Sequence, residues 1–493
     1  MAPEAAVIPE TRLFINGEFR EASYGATFPL KSPTTLEITA QVSEASTQDT
    51  NDAVAAAKAA FPAWSALSPH DRGEYMTELA RLILEHEAEL AHLEAVSMGR
   101  PVSGYWDAKA AARKLQYFAS CAWNGQGQTS LHTPGFVNMT LRQPFGVVAV
   151  IIPWNVPVYF FINKMAPAIA AGNTVVVKSS EKAPLTSAKL AQLIQRANFP
   201  PGVINVLSGH GHISGSTLAH HMDVRLLTFT GSGRTGRLIQ QAAASSNLKN
   251  VIFELGGKSP TVVFPDAELE SAAKETAYSI QWNSGQVCMA NSRVYVHASV
   301  AGRFLALFKA HLRDSVRMGD PTDPNVNHGP QADEVQFRNV KRYIDMGKRD
   351  GELVLGGGEE DEVLGGHKGY FVMPTVFTNT PEDAQIMKEE VFGPVVNINT
   401  FETEAEVIQK MNASEFGLYA AIYTQDLSRA MRFATSMEAG TVGVNCTSPT
   451  GAFDLPFGGY KASGVGREGI HHSLDNYLET KTVLVKVGQT SIV

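Results

Sequence analysis

The sequence predicts an α/β protein in which a doubly wound parallel sheet is followed by a second α/β region and a small β-arm. Between residues 145 and 264, short apolar runs alternate with segments of helical character. These runs cover residues 146–152, 174–178, 203–207, 226–230 and 261–264. Continuous β-branched runs separated by helices are typical of a parallel sheet covered on both faces. Such a sheet binds ligands at the carboxyl ends of its strands.

The flanking segments have other patterns. Residues 1–25 are mixed in character and are expected to form an arm. Residues 47–124 have a helical pattern, with apolar residues at helical spacing between Gly73 and Met98. Stretches 129–142 and 477–487 alternate like exposed strands, which need pairing partners. We interpret these two stretches as one small sheet that joins subunits into a homodimer or homotetramer; the alternative is a surface hairpin within one subunit.

These patterns divide the chain into three predicted parts. Residues 1–125 and 145–256 form a first domain around the doubly wound sheet. Residues 257–463 form a second α/β domain, with its own helical and apolar pattern from about residue 269. Residues 126–144 and 464–493 form the oligomerisation arm and the C-terminal segment.

Composition excludes several classes of partner. The chain has 493 residues, of which 44% are hydrophobic and 18% charged, with a formal net charge of −8. It has no basic cluster on the scale that nucleic acid requires, and no apolar run long enough to span a bilayer. No secretory leader is recognisable. Three cysteines are too few for a disulfide framework, so a reducing, cytoplasmic location is expected.

A glycine-rich motif predicts a dinucleotide site. Residues 231–236 match G-x-G-x-x-G directly after an apolar run and before a helical segment. Glu254 stands about 20 positions further on, where the motif expects an acidic residue for the ribose, and it opens the sequence ELGGKSP. This carboxylate therefore has two candidate roles, in cofactor binding or in the chemistry. A P-loop is excluded, because Ile252 stands where its first glycine is required.

Cys288 is a candidate nucleophile in the sequence GQVCMA. A reactive thiol needs a partly exposed, electropositive setting, and on local sequence alone core packing is the better interpretation. A thiol hydrolase would also need a histidine base, but none of the fourteen histidines lies in a recognisable motif. The absence of H-E-x-x-H and C-x-x-C motifs predicts no metal site. A non-catalytic structural protein is the remaining alternative.

Seven short motifs that occur in a fixed order favour a catalytic role for Cys288 over core packing. They are PWNVP (153–157), KSSE (178–181), FTGSGRTG (229–236), FELGGKSP (253–260), GQVCMA (285–290), EEVFGP (389–394) and PFGGYKASG (456–464). With this set the chain resembles the aldehyde dehydrogenase superfamily, specifically its hydrolytic, NAD(P)-dependent branch, from about Phe14 to Val487. The resemblance implies a dinucleotide-binding first domain, a catalytic second domain and oxidation of an aldehyde to a carboxylic acid.

The resemblance also implies catalytic roles. Cys288 would attack the aldehyde, and the Asn155 amide with the Cys288 backbone N–H would hold the oxyanion. Glu254 would be the general base, and its presence favours hydrolysis of the acyl-enzyme over transfer to coenzyme A. Glu468 and Lys164 would relay the proton.

The implied cofactor is NAD, with NADP as the alternative. Lys178 and Glu181 would hold the adenosine ribose, and Glu181 would repel a 2′-phosphate. Ser232 would lie at the pyrophosphate, and Glu390 and Phe392 at the nicotinamide ribose and ring. The full predicted set is Ile151, Pro153, Trp154, Asn155, Lys178, Ser179, Glu181, Gly211, Phe229, Gly231, Ser232, Thr235, Leu255, Gly256, Glu390 and Phe392.

The implied substrate tunnel favours an apolar or aromatic aldehyde. Its lining would be Val156, Tyr159, Phe160, Asn163, Trp282, Val287, Met289 and Phe457. Asn163 stands where general-purpose relatives carry tryptophan, which widens or polarises one wall. No Arg or Lys is obviously placed in the sequence to bind a carboxylate, which disfavours semialdehyde acids.

Overall fold

The computed structural model describes residues 9–357 and 369–487, so the outer ends of the predicted first domain and C-terminal segment lie outside the described residues. The strands are β1 (Leu13–Ile15), β2 (Glu18–Arg20), β3 (Thr27–Lys31), β4 (Ile38–Ser43), β5 (Thr129–Ser130), β6 (Phe136–Pro144), β7 (Val147–Ile151), β8 (Thr174–Lys178), β9 (Ile204–Leu207), β10 (Val224–Thr230), β11 (Asn250–Glu254), β12 (Pro260–Val263), β13 (Arg293–His297), β14 (Glu352–Leu355), β15 (Thr375–Thr378), β16 (Val395–Phe401), β17 (Phe416–Gly417), β18 (Tyr419–Tyr423), β19 (Thr441–Val444), β20 (Tyr460–Lys461), β21 (Gly464–Val465) and β22 (Leu478–Lys486).

The helices surround these strands. They are α1 (Thr47–Ala66), α2 (Pro69–Glu85), α3 (Glu87–Met98), α4 (Asp107–Cys121), α5 (Pro157–Ala170), α6 (Pro184–Arg196), α7 (Ser216–His220), α8 (Gly233–Ser245), α9 (Leu269–Gln281), α10 (Ala301–Ser315), α11 (Glu334–Asp350), α12 (Gln385–Lys388), α13 (Glu404–Asn412), α14 (Leu427–Ser436) and α15 (Ile470–Asn476). The helical pattern predicted over residues 47–124 is confirmed as α1 to α4. Within the described ranges, no helix has the length and apolarity needed to cross a bilayer.

The first sheet has the predicted parallel core. Its order is β2-β1-β9-β8-β7-β10-β11-β21, and β7 to β11 pair in parallel. Every residue of β7, β8 and β9 is buried, as expected for strands covered on both faces. The register aligns Ile151 with Lys178 and Phe229, and Thr230 with Glu254. The carboxyl ends of these strands therefore bring together residues that the sequence assigned to one cleft.

Two strand predictions are wrong, each for a topological reason. The run at residues 261–264 does not join the first sheet, because β12 pairs with β13 and β18 in the second sheet. Only five residues separate β11 from β12, whereas a parallel crossover within one sheet needs about a dozen. The N-terminal segment is not an arm, because β1 and β2 form a hairpin on the edge of the first sheet through Phe14 and Val206. The Asn16-Gly17 turn has positive φ at both residues, which matches strand twist.

The second sheet has the order β14-β15-β16-β13-β12-β18-β19 and carries the second hydrophobic region. A third sheet has the order β22-β6-β5, in which Leu478 opposite Pro144 begins an antiparallel ladder that reaches Lys486 opposite Phe136. The predicted pairing of the two extended stretches is therefore confirmed. Strand β21 returns to the first sheet, where Gly464 lies opposite Glu254.

Candidate active site

The loop that carries Cys288 is a tight turn that follows α9. Asn283, Ser284 and Gly285 have φ values of 49°, 54° and 72°, so three consecutive residues are left-handed. A side chain at Gly285 would collide with the backbone of Gly393, so glycine is required there. Left-handed non-glycine residues are costly and cluster at functional sites. The turn leaves Cys288 half-buried rather than packed in the core.

Asn155 joins this loop to the first sheet. It lies just beyond β7, is 4% exposed, and donates from Nδ2 to the backbone oxygen of Gln286 at 3.0 Å. Asn283 Nδ2 in turn donates to the Asn155 backbone oxygen at 3.0 Å. These reciprocal bonds fix an amide side chain, the predicted oxyanion donor, beside the turn that presents Cys288.

The surroundings of Cys288 favour its protonated form. Burial, followed by the carboxylates of Glu390 and Glu254, raises the pKa of the Cys288 thiol above its ordinary value. Backbone N–H groups of Cys288 and Met289 oppose this rise. Since the thiolate is the nucleophile, the thiol must give its proton to a base before it can attack.

Glu254 has the properties of a general base. It ends β11, is 3% exposed, and within the described part of the chain its Oε1 is buried without a hydrogen-bond partner. Burial, and then repulsion from Glu468, raises the pKa of Glu254 well above its ordinary value, while Lys164 and Arg467 lower it. A buried carboxylate with a raised pKa is a stronger proton acceptor than an exposed one.

A hydrogen-bonded cluster lies behind Glu254. Glu468 Oε2 accepts a hydrogen bond from Asn163 Nδ2 at 2.5 Å, and Glu468 Oε1 pairs with Lys164 Nζ. Lys164 is fully buried and also donates to Thr228 Oγ1 at 3.1 Å. The backbone of Glu468 bridges to Phe457 through two 2.7 Å hydrogen bonds. Residues some 300 positions apart along the chain are thus joined in one cluster, and its role in proton relay stays a prediction.

The predicted cofactor residues line the carboxyl edge of the first sheet. Lys178 ends β8 and is 3% exposed, and its Nζ donates to the backbone oxygen of Ser179 at 2.8 Å. Burial lowers the pKa of Lys178, while half-buried Glu181 and Glu44 oppose that change. A buried ammonium with one backbone acceptor has donors left for a ligand, so these residues fit a ribose.

The glycine motif leads into the N-terminus of α8. Ser232 caps this helix, with its Oγ accepting from the Thr235 N–H at 3.3 Å, and Ser232 itself is exposed. Gly231 N donates to the Glu254 backbone oxygen at 3.1 Å, which ties the motif to the strand of the predicted base. A side chain at Gly231 would meet the Phe229 ring. The open helix N-terminus fits a pyrophosphate, because its free N–H groups attract anions.

Two further predicted cofactor residues, Glu390 and Phe392, follow α12. Glu390 Oε1 accepts from the Gly257 N–H at 3.0 Å, and its carboxylate occupies the space that a side chain at Gly256 would fill. Burial raises the pKa of Glu390 to about 7, against the effects of Gly257 and Lys258. Phe392 packs edge-on against Trp154 at 5.3 Å between ring centroids.

Sequence reasoning missed part of the aromatic wall. Trp106, at the start of α4, lies 5.3 Å from Tyr159 and 6.3 Å from Trp282 between ring centroids. The Arg100 guanidinium stacks at 5.0 Å over Trp282, and buried Glu94 and Asp107 bind it. A tryptophan that precedes a helix does not by itself indicate a tunnel. The charged residues Glu94, Arg100 and Asp107 are separated in the sequence, so nothing there showed that they form a cluster.

The predicted tunnel residues divide by exposure. Val156, Phe160 and Val287 are buried in hydrophobic clusters, so they also serve core packing. Tyr159, Trp282, Met289 and Phe457 keep part of their surface exposed.

In the described part of the chain, no group of three or more His, Cys, Asp or Glu side chains could hold a metal ion.

A doubly wound sheet with a helix-capped glycine motif at the carboxyl end of one of its strands defines a dinucleotide-binding fold. Comparison with known proteins names the family: residues 19–483 match the model of the aldehyde dehydrogenase family, to which the chain belongs. The protein is therefore an oxidoreductase that acts on aldehydes.

Individual relatives cover almost the whole chain. An aldehyde dehydrogenase of Alternaria alternata is 43% identical over 97% of this chain and 96% of its own length. Retinal dehydrogenase 2 of Gallus gallus is 40% identical over 98% and 93%. The crystal structure of the aldehyde dehydrogenase KauB from Pseudomonas aeruginosa superposes with a TM-score of 0.94 at 39% identity, covering 98% and 97%. A mutant of the indole-3-acetaldehyde dehydrogenase AldA of P. syringae, in complex with NAD+ and IAA, has a TM-score of 0.94 at 39% identity, covering 98% of each chain.

Proposed function

We propose that the protein oxidises an apolar or aromatic aldehyde to the free carboxylic acid through a covalent thioester on Cys288, with NAD preferred to NADP. One observation carries the proposal. Glu254, a buried carboxyl of raised pKa whose Oε1 has no hydrogen-bond partner among the described residues, contributes to the electrostatic surroundings of Cys288. A thiol and a buried base beside a dinucleotide cleft suit a reaction that both forms and hydrolyses a thioester.

The first half of the reaction acylates Cys288. The thiol gives its proton to water, the sulfur attacks the carbonyl carbon, and the C=O electron pair moves to oxygen. Asn155 Nδ2 and the Cys288 N–H stabilise this oxyanion, and one such donor contributes about 3–4 kcal/mol. NAD, when bound, supplies the acceptor for the hydride that leaves the tetrahedral carbon. The carbonyl re-forms as a thioester on Cys288.

The second half releases the acid. Glu254 takes a proton from a water molecule, whose oxygen attacks the thioester carbon. The C–S bond breaks, the sulfur leaves as the Cys288 thiolate, and the carboxylic acid is freed. Glu468 and Lys164 both act electrostatically on Glu254, which supports a role for them in returning the proton of this base to solvent.

Cofactor preference rests on Glu181. This half-buried carboxylate lies three residues beyond the end of β8 and acts electrostatically on Lys178, and the two would hold the adenosine ribose. A carboxylate accepts hydrogen bonds from the 2′ and 3′ hydroxyls and repels a 2′-phosphate. The NAD+ in the AldA complex supports the same preference.

The aromatic wall supports an apolar substrate. Trp106, Tyr159 and Trp282 pack into one group, and the exposed fractions of Met289 and Phe457 are also apolar. The names of two relatives, a retinal dehydrogenase and an indole-3-acetaldehyde dehydrogenase, agree with large apolar substrates.

The roles of the domains, the oligomeric state and the cellular location are also part of the proposal. The first domain would bind the dinucleotide, the second would supply the thiol, and the sheet of β6 and β22 would join a homodimer or homotetramer. Leu484, 66% exposed on β22, supports an apolar contact there. Three free cysteines support a proposed cytoplasmic location.

A spectrophotometric assay tests the proposal. Purified protein is mixed with NAD or NADP and a panel of aliphatic and aromatic aldehydes, and NADH or NADPH absorbance is followed. We expect absorbance growth with NAD and apolar aldehydes, together with the matching carboxylic acid by mass spectrometry. No reduction of either cofactor with any aldehyde would instead favour a non-catalytic role.

A further inference from the structure

A buried lysine on α4 has no role in the proposed chemistry. Lys114 is 4% exposed, and the contact made by its ammonium is with the face of the Phe453 ring, 4.9 Å from Nζ to the ring centroid. Among the described residues, no hydrogen bond or ion pair reaches Lys114. A buried ammonium is costly unless an acceptor or a counter-charge compensates it, and a ring face does so only in part.

The nearby carboxylate is already occupied. Glu468 acts electrostatically on Lys114, but its two oxygens accept from Asn163 and Lys164. The three N–H donors of Lys114 therefore lack an acceptor within the described protein. An external acceptor, ideally an anion, would complete the site.

The position of Lys114 connects it with the substrate tunnel. Trp106 is the N-cap residue of α4, and Lys114 lies eight residues further on, about 12 Å along the helix axis. Trp106 packs on Tyr159 and Trp282. At the other end, Phe453, whose ring faces Lys114, lies four residues before Phe457, a predicted tunnel residue.

Helix α5 forms the other side of this wall, and its residues follow the same order from Trp106 toward Lys114. On α5, Tyr159 lies beside Trp106, and Asn163, one turn further, binds the Glu468 that acts on Lys114. The predicted tunnel thus has aromatic residues near Trp106 and a cation at Lys114.

We propose that Lys114 is a specificity-determining residue that binds a carboxylate at the end of the substrate remote from the aldehyde. The substrate class is then a semialdehyde acid with an apolar chain or ring between its two ends, and the product is a dicarboxylic acid. This inference rests on the proposed aldehyde oxidation. It revises the expectation, drawn from the sequence, that semialdehyde acids are disfavoured. That expectation overlooked Lys114, because a lysine in the middle of an amphipathic helix is ordinarily taken to be exposed to solvent.

The test compares two aldehydes of equal chain length, 6-oxohexanoate and hexanal, with NAD as cofactor. We expect the wild-type protein to have a kcat/KM at least about tenfold higher for 6-oxohexanoate. Lys114→Met should lower kcat/KM for 6-oxohexanoate by about 10- to 100-fold, the range for a hydrogen bond to a charged group. The loss should lie in KM, because a remote contact holds ground state and transition state alike. Hexanal oxidation should change by less than about threefold by the same argument.

Two control variants separate charge from packing. Lys114→Arg keeps the charge and should retain part of the preference for 6-oxohexanoate. Lys109→Met removes a lysine on the same helix whose side chain is 61% exposed and pairs with Glu87 at 3.2 Å, and it should change neither substrate.

The outcomes that would contradict the Lys114 proposal differ from the one that would contradict the proposed aldehyde oxidation. Equal losses for both substrates in Lys114→Met would mean that Lys114 positions Glu468 or packs the wall, and would overturn the proposal. Wild-type protein that oxidises hexanal without preferring 6-oxohexanoate would also overturn it, even if Lys114→Met does not fold, and would leave aldehyde oxidation standing. Failure with both aldehydes and with the wider panel would count against the proposed function itself.

Discussion

Replacing Glu254 by glutamine should separate the two halves of the reaction. The substitution keeps side-chain size, and it breaks no hydrogen bond at Oε1, because none of the described residues bonds to that atom. It also removes the repulsion between Glu254 and Glu468 that helps to raise the pKa of Glu254. Thermal stability near neutral pH should therefore be unchanged or higher, while general-base catalysis worth about 10²- to 10⁴-fold is lost.

The assay is rapid mixing of Glu254→Gln with NAD and an accepted aldehyde, with NADH absorbance as the signal. We expect a burst of about one NADH per active site, followed by steady-state turnover slowed by about 10²-fold or more. Glu254→Asp serves as the control, since it keeps a carboxylate and should retain partial turnover. Turnover of Glu254→Gln at the wild-type rate would refute the assignment of Glu254 as the deacylating base.

Four further predictions follow from the same site. Cys288→Ala should abolish oxidation and keep NAD binding, measured by fluorescence titration, while Cys121→Ala and Cys446→Ala stay active; residual activity in Cys288→Ala above about a thousandth of wild type would contradict covalent catalysis. Glu181→Ala should raise kcat/KM with NADP relative to NAD by about tenfold or more, since a carboxylate no longer faces the 2′-phosphate; an unchanged ratio would exclude Glu181 from cofactor choice. Steady-state kcat should fall as pH drops through the pKa of Glu254, because the deprotonated form is the base and its pKa is raised; Glu254→Gln should lose this limb, and a variant that keeps it would point to another group. Light scattering should give two or four times the chain mass, and a monomer would contradict the predicted arm.

The parallel core of the fold was predictable because its signal is local. Strands β7 and β8 are buried on both faces, so each is a continuous β-branched run. The placement of β12 was not predictable from its own residues, which suit either sheet. It depends on the shortness of the link after Glu254, which cannot hold a crossover helix. The N-terminal hairpin could have been found from its Asn16-Gly17 pair.

The residues of the candidate site also differ in how far the sequence could predict them. Cys288 and Glu254 were identified because short motifs surround them in a fixed order. The partners that set their chemistry were less visible, since Asn163 and Glu468 are distant in sequence and meet only after folding. Lys114 was missed because helical periodicity describes which face of α4 is buried but does not tell a solvated lysine from one that points into a tunnel.

The most direct test of the central claim is the mass of Glu254→Gln after brief reaction with NAD and an accepted aldehyde, followed by acid quench and proteolysis. We predict an adduct on the peptide that contains Cys288, heavier than the free thiol by the mass of the aldehyde less two hydrogen atoms, as a thioester requires. An unmodified Cys288 peptide in a sample that has produced NADH, or an adduct on Cys121 or Cys446 instead, would contradict covalent oxidation at this residue.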